Sequence, residues 1–262
     1  MSRINPLFAA LLLLLAGCGG SPAAPAVTVP DPGNCVTSVS PATADYSGEL
    51  KHGVVAVTAP ATCQWTATTP SSFISFDFTP SGIGNGGFDY TVHGNLTGTP
   101  RTGSLVVMGR SVSVTQRAAL GSTTFLSFVS DPGDFVGQGW TLLHETPTST
   151  FTVTPFSSRI LQVKVAASER ALTWRLTLAA PEGQQLAPGT YLNATRYPFQ
   201  LATVPGLDFS GNSSGCNVLT GQFTIVDLVY ASDGGVEQLR VNFEQHCEAR
   251  APALRGTISY VR

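Results

Sequence analysis

From residue 51 onward, apolar and polar positions repeat with period two. Val55, Val57 and Ala59 alternate with Val54, Ala56 and Thr58. Leu105 and Val107 oppose Val106 and Met108, and Val112 and Val114 sit among Ser111, Ser113 and Thr115. Further on, Leu161, Val163 and Val165 alternate with Gln162, Lys164 and Ala166. Leu172, Trp174, Leu176 and Leu178 alternate with Thr173, Arg175 and Thr177, and Phe223, Ile225 and Asp227 with Thr224, Val226 and Leu228. Successive side chains of a strand point to opposite faces, so each run predicts a half-buried strand. Gly, Pro, Asn and Asp punctuate the runs, and no segment carries a helical period. The pattern predicts an all-β protein of two β-sandwich domains. SVSVTQRAAL closes one set of strands and GSTTFLSF opens another, which places the boundary near Gln116–Ser122. The domains expected are residues 34–118 and 119–262, with no repeat relating them.

The first residues, MSRINPLFAALLLLLAGCGG, depart from this pattern. Arg3 precedes an apolar run from Leu7 to Ala16, ten residues long and too short for a bilayer span of roughly 20. It fits the apolar region of a signal peptide. Leu15-Ala16-Gly17-Cys18 then resembles the bacterial lipobox. That resemblance implies that residues 1–17 are removed and that Cys18 carries lipid. Each buried CH₂ of an acyl chain contributes about 0.8 kcal/mol, so several chains hold firmly where one binds marginally. Residues 18–33, rich in Gly, Ser, Pro and Ala, read as a tether. The partner implied is the membrane, reached through lipid on Cys18. The expected address is the bacterial cell envelope, at the outer membrane or the cell surface.

Four cysteines remain, and an even set in an exported chain favours disulfides. Three pairings are possible. Proximity along the chain favours Cys35 with Cys63 and Cys216 with Cys247, each closing a loop of about 30 residues. Closing such loops contributes roughly 3.5 kcal/mol apiece in the chain-entropy model. Zinc is the rival for these thiols, but no C-x-x-C pair is present.

Composition narrows the function further. Only 11% of the 262 residues are charged, against roughly 25% in an average soluble domain, and the net charge is −2. Without a basic stripe to neutralise phosphates, nucleic acid is not an expected partner.

The stretch TCQWTATTPSSFISFDFTPSGIGNGGFDYTVHGNLTGTPRTGSLVVMGRSVSVTQ resembles the BACON family. The matching positions are Cys63-x-Trp65, Ile74, Gly84-x-Gly86, Tyr90-x-Val92, Asn95, Arg101-x-Gly103 and Val114-x-Gln116. The likeness extends back through SGELKHGVVAVTA to Cys35 and covers about a third of the chain. It implies an immunoglobulin-like sandwich of about seven strands. The family's name records a Bacteroidetes-associated, carbohydrate-binding, often N-terminal domain, and a spacer role is equally consistent with it. Phe73 stands where the family usually shows Trp. Residues 123–262 resemble a C-terminal module of secreted bacterial proteins without assigned activity. SDPGDF, the APEG-to-PGTY stretch, SGCN, GQF, NFEQHCE and PALRG carry that likeness.

Candidate chemistry is sparse. Gly82, Gly84 and Gly87 satisfy G-x-G-x-x-G, but FDYTVHG after them alternates like a strand, and a dinucleotide site needs a helix there. VNFEQHCE places Val241, Phe243, Gln245 and Cys247 on one side of a strand and Asn242, Glu244, His246 and Glu248 on the other. Glu244, His246 and Glu248 therefore read as a solvated face, and no metal or other cofactor is expected. His52, His93 and His144 are scattered over unrelated segments. A G-x-S-x-G elbow is absent. Asp131, Asp134, Glu145 and Glu244 are imaginable glycosidase carboxylates, but turns such as SDPGDF account for the aspartates. Trp140, Tyr197 and Phe199 follow or occupy loops, where they would stack on sugar or grip a partner. Taken together, these features predict a non-catalytic, envelope-anchored binding module for glycans or surface proteins. A structural spacer or assembly subunit is the alternative, and a glycan-acting hydrolase the second.

Overall fold

A computed structural model describes residues 35–167 and 172–262; the expected leader, Cys18 and the whole of the expected tether, residues 18–33, lie outside them. The described chain is all-β, without a helix, and Pro32–Arg262 form one compact unit.

The first half contributes β1 (Ser38–Ser40), β2 (Thr43–Tyr46), β3 (Lys51–Thr58), β4 (Gln64–Thr68), β5 (Ile74–Ser75), β6 (Ser81–Ile83), β7 (Gly86–Val92), β8 (Arg101–Val107) and β9 (Arg110–Gln116). They form a four-stranded sheet, β1-β3-β7-β5, and a five-stranded sheet, β2-β9-β8-β4-β6. The inward residues anticipated by the alternation, Val55, Val57, Leu105, Val107, Val112 and Val114, are all buried. Cys63 and Trp65 join the same core, and Cys35 is bonded to Cys63 with their Cα atoms 5.7 Å apart.

The glycine-rich run serves the indole of Trp65. A Cβ on Gly82 would lie 2.4 Å from Trp65 Cζ2, so only glycine lets the strand pass beneath the ring. Gly84, at φ 71°, turns the chain so that its carbonyl accepts the indole N–H at 2.9 Å.

The second half contributes β10 (Phe125–Ser130), β11 (Thr141–Glu145), β12 (Ser149–Ser157), β13 (Ile160–Ala167), β14 (Thr173–Ala179), β15 (Gly189–Arg196), β16 (Gly206–Gly211), β17 (Leu219–Tyr230), β18 (Val236–Cys247) and β19 (Ala253–Val261). All ten belong to one sheet, ordered β11-β10-β19-β18-β17-β15-β16-β14-β13-β12. The edge strands β11 and β12 are consecutive in the chain. Laid flat, ten strands would hold their edges about 43 Å apart. Four residue steps, Glu145 to Ser149, span at most about 14 Å. The sheet must therefore curl until its edges meet, and its opposed walls enclose one core. Stacked Trp174 and Phe209, 5.5 Å apart, lie in that core with Phe128, Phe223 and Phe243. Cys216 and Cys247 close it at one end as a disulfide.

Two details refine the alternation. A bulge between Ile225 and Asp227 on β17 inserts Val226 as an extra residue. The period resumes out of phase, so Asp227 is exposed instead of facing inward with Ile225, and Leu228 turns toward the core. The second detail is a gap in the wall. β15 pairs with β16 only at Thr195↔Gly206 and Arg196↔Leu207. Beyond it, both backbone groups of Phe209 are taken by the buried Gln245 side chain: the N–H donates to Oε1 at 3.0 Å, and Nε2 donates to the carbonyl at 2.8 Å.

The halves interlock. Leu50, from the first half, is buried in the core cluster of the second. Glu49, 3% exposed, sets its carboxylate against the junction of the sheet's two edges. It accepts the Glu145 N–H at 3.0 Å and the Thr148 and Ser149 hydroxyls, and it lies 3.6 Å from Lys51 Nζ. In return the Glu145 carboxylate accepts the Leu120 N–H at 2.7 Å, holding the linker between β9 and β10. His52, His93 and His144, dispersed in the sequence, gather at this junction. His52 packs edge-on against Trp140, His93 meets Thr141, and His144 lies 3.9 Å from Glu49.

Candidate functional site

The outer face of β10, β19, β18 and β17 carries a groove of about 460 Å³. Phe128, Phe223 and Phe243 point into the core, so their neighbours must point out. Register aligns those neighbours across strands. Ser127 lies opposite Thr257, Thr257 opposite Asn242, and Asn242 opposite Thr224. The row spans about 14 Å and continues to Thr190 on β15. A second row runs from Val129 through Arg255 and Glu244 to Gln222. The Thr257 hydroxyl donates to Asn242 Oδ1 at 2.8 Å, and the Thr190 and Thr224 hydroxyls share a hydrogen bond at 3.1 Å. Among the described residues, the Ser127 and Gln222 side chains make no hydrogen bond.

The groove's side wall comes from the other half of the chain. Leu96, 45% exposed, stands on the loop after β7. Buried Asn95 shapes that loop from within: Nδ2 donates to the Thr99 and Arg117 carbonyls at 2.7 and 3.0 Å, while Oδ1 accepts the Thr97 N–H and hydroxyl.

One end of the groove is charged. Arg255 donates to Glu244 at 2.8 Å and to Asp131 at 3.2 Å, and Glu244 meets His246 Nε2 at 3.3 Å. The Ala253 N–H and then Arg255 hold the exposed Asp131 carboxyl below the ordinary range. Hydrogen bonds that it donates to Glu244 and Asp131 raise the Arg255 guanidinium. Glu248 does not join this set. It leaves the strand at φ 56° and accepts the Asn217 N–H at 2.7 Å. No group of three His, Cys, Asp or Glu among the described residues is placed to hold a metal ion. Asp134 holds a turn, accepting the Gly137 N–H and the Ser130 hydroxyl.

The loop aromatics singled out in the sequence do not converge. Trp140 is 7% exposed and belongs to the core of the second half, so it is no open platform. Tyr197 is half-buried, and Phe199, 73% exposed, lies under the Arg196 guanidinium at 4.9 Å. Neither lines the groove. Arg101 likewise covers the ring of Phe73, at 4.3 Å. Of the groove residues, Asn242 and Glu244 were assigned to a solvated face by alternation. Ser127, Gln222, Thr224 and Thr257 were not recognised, because cross-strand register leaves no mark within a single strand.

No protein-family model matches the chain. No curated protein matches it either. Among solved structures, a Bacteroides ovatus GH5 xyloglucanase in complex with a XXXG heptasaccharide aligns with 31% of this chain at 19% identity and a TM-score of 0.28. The alignment covers 18% of that enzyme, less than a fifth of its length.

Proposed function

We propose that the protein is a non-catalytic binding module of the bacterial envelope, held by lipid on Cys18, and that its ligand is a neutral glycan lying across the groove. The row Ser127–Thr257–Asn242–Thr224 carries this reading. Sugar hydroxyls both donate and accept, and amide and hydroxyl side chains answer both needs. The groove falls within the usual size of ligand sites. A low net charge favours a neutral ligand over an ionic one, and two disulfides suit an oxidising compartment.

The test is affinity electrophoresis and glycan-array binding with the soluble mature protein, beside a variant carrying both Asn242→Ala and Thr257→Ala. At least a tenfold loss of affinity is expected in the variant. Silence toward neutral polysaccharides with both disulfides intact, or binding that ignores the two substitutions, ends the glycan reading. Replacing Cys18 with Ser is expected to move the protein from the membrane to the soluble fraction.

A second reading, a rigid spacer or assembly subunit, is favoured by the interlock of Glu49 and Leu50. It predicts a stable partner on mild crosslinking and no polysaccharide affinity.

A further inference from the structure

With the groove taken as the ligand site, we infer that acid regulates it: the site belongs to both halves, and neutral His93 latches its Leu96 wall to the second half. Thr141 is gripped by two consecutive residues of the first half. Its N–H donates to His93 Nδ1 at 3.2 Å, and its carbonyl accepts the Gly94 N–H at 2.6 Å. Asn95 follows, donating its N–H to the Gly48 carbonyl at 2.7 Å, and then comes Leu96, the wall itself. On the opposite side Thr141 pairs with Val129, which also lines the groove. The latch is therefore three residues from one side of the site and one strand pairing from the other.

An imidazole nitrogen that accepts a hydrogen bond must be unprotonated. A proton on His93 Nδ1 turns the acceptor into a donor facing the Thr141 N–H. The charged and titratable groups acting on this ring add to the penalty. Arg101, on β8, sends Nη2 to the His93 carbonyl at 2.7 Å and to the Gly94 carbonyl at 3.2 Å. His52, on β3, is the other. Gln116, on β9, is neutral and donates to the same His93 carbonyl at 3.0 Å. Burial first, then Arg101, then His52, holds the ring below the ordinary imidazole range. An unfolded histidine titrates near pH 6.5. The neutral ring's contribution is therefore complete above about pH 6.5 and is lost as the pH falls below that, through the lower folded value. The bonds from Asn95 and Arg101 carry no such dependence, so the response is a local loosening of the wall.

The experiment is NMR on the soluble mature protein between pH 7.5 and 4.5, with amide exchange corrected for its intrinsic pH dependence. Protection of the Gly94 and Thr141 amides is expected to fall at least tenfold. The Leu96 and Thr97 resonances should shift with the midpoint of the His93 ring. In His93→Asn, the amide oxygen stands near the position of Nδ1 and does not titrate, so protection should stay flat. Constant protection in the unaltered protein, equal loss in His93→Asn, or a Leu96 signal that stays put while His93 titrates overturns the inference. Should the variant fail to fold, agreement or disagreement of the midpoints in the unaltered protein decides. No ligand enters the measurement, so a silent glycan array would remove the ligand and leave the latch tested on its own.

Discussion

Gln245 shows how one side chain completes a wall that the backbone leaves open. Its amide supplies one acceptor and one donor to Phe209, where β16 lacks a neighbour on that side. An unsatisfied buried group costs about 1–3 kcal/mol. Gln245→Leu keeps the volume and removes both partners, so a loss of about 3 kcal/mol is expected in urea unfolding; a loss under about 1 kcal/mol would mean water takes over the role. Alternation placed Gln245 inward, but nothing periodic announces a gap two strands away. Gly82 was legible in the same limited way. The strand after it ruled out a nucleotide loop, while its use as a floor for Trp65 became visible only with the ring in place. The Gly-Gln-Gly lead-in is a turn exposed at Gln138, as its composition suggests, but the Trp140 ring that follows it packs into the core and against His52.

At the scale of elements, facing followed from period two in β3, β8, β9, β13 and β14, where pairing is regular. The failure falls on β17, where one inserted residue resets the phase. Deleting Val226 should remove the bulge and leave Asp227 outward, opposite Arg240, with Leu228 still inward, opposite Leu239. The expected result is a small change in melting temperature; a marked loss of stability would mean that the sheet needs the bulge itself to curl. The seam between β11 and β12 is the second element-scale feature. Glu49 satisfies groups on both sides of it, and charge-assisted hydrogen bonds contribute about 1.5–3 kcal/mol each. Glu49→Ala is therefore expected to cost about 3 kcal/mol and to deprotect the Glu145 amide in hydrogen exchange. Protection unchanged at Glu145 would remove the seam-sealing role. In the sequence Glu49 is one polar residue of the stretch SGELKHGVVAVTA, with no sign that it plugs a distant sheet.

For the whole molecule, two hydrophobic cores coexist in one compact unit. Leu50 and Glu49 tie the second core to the first, so calorimetry should record one cooperative transition. Residues 119–262 alone should melt well below the intact chain; equal melting temperatures would show the interlock to be energetically idle. Reducing both disulfides should lower stability by roughly 3.5 kcal/mol per bond in the chain-entropy model, visible as a lower urea midpoint. The fold class and both pairings of cysteines could be read from the residues, because periodicity and proximity along the chain encode them. The curling of one sheet into an enclosure could not, since closure depends on which strands are neighbours.

The bond between Cys35 and Cys63 also determines where a pull would go. Cys35 stands at the entrance to the folded body, and Cys63 immediately precedes β4. Tension reaching residue 35 from its N-terminal side would cross the sulfurs straight to β4. The 27 residues between the two cysteines, with β1, β2 and β3 among them, are bypassed. Shear from the surroundings would thus load the five-stranded layer first and spare the segment that bears Glu49 and Leu50.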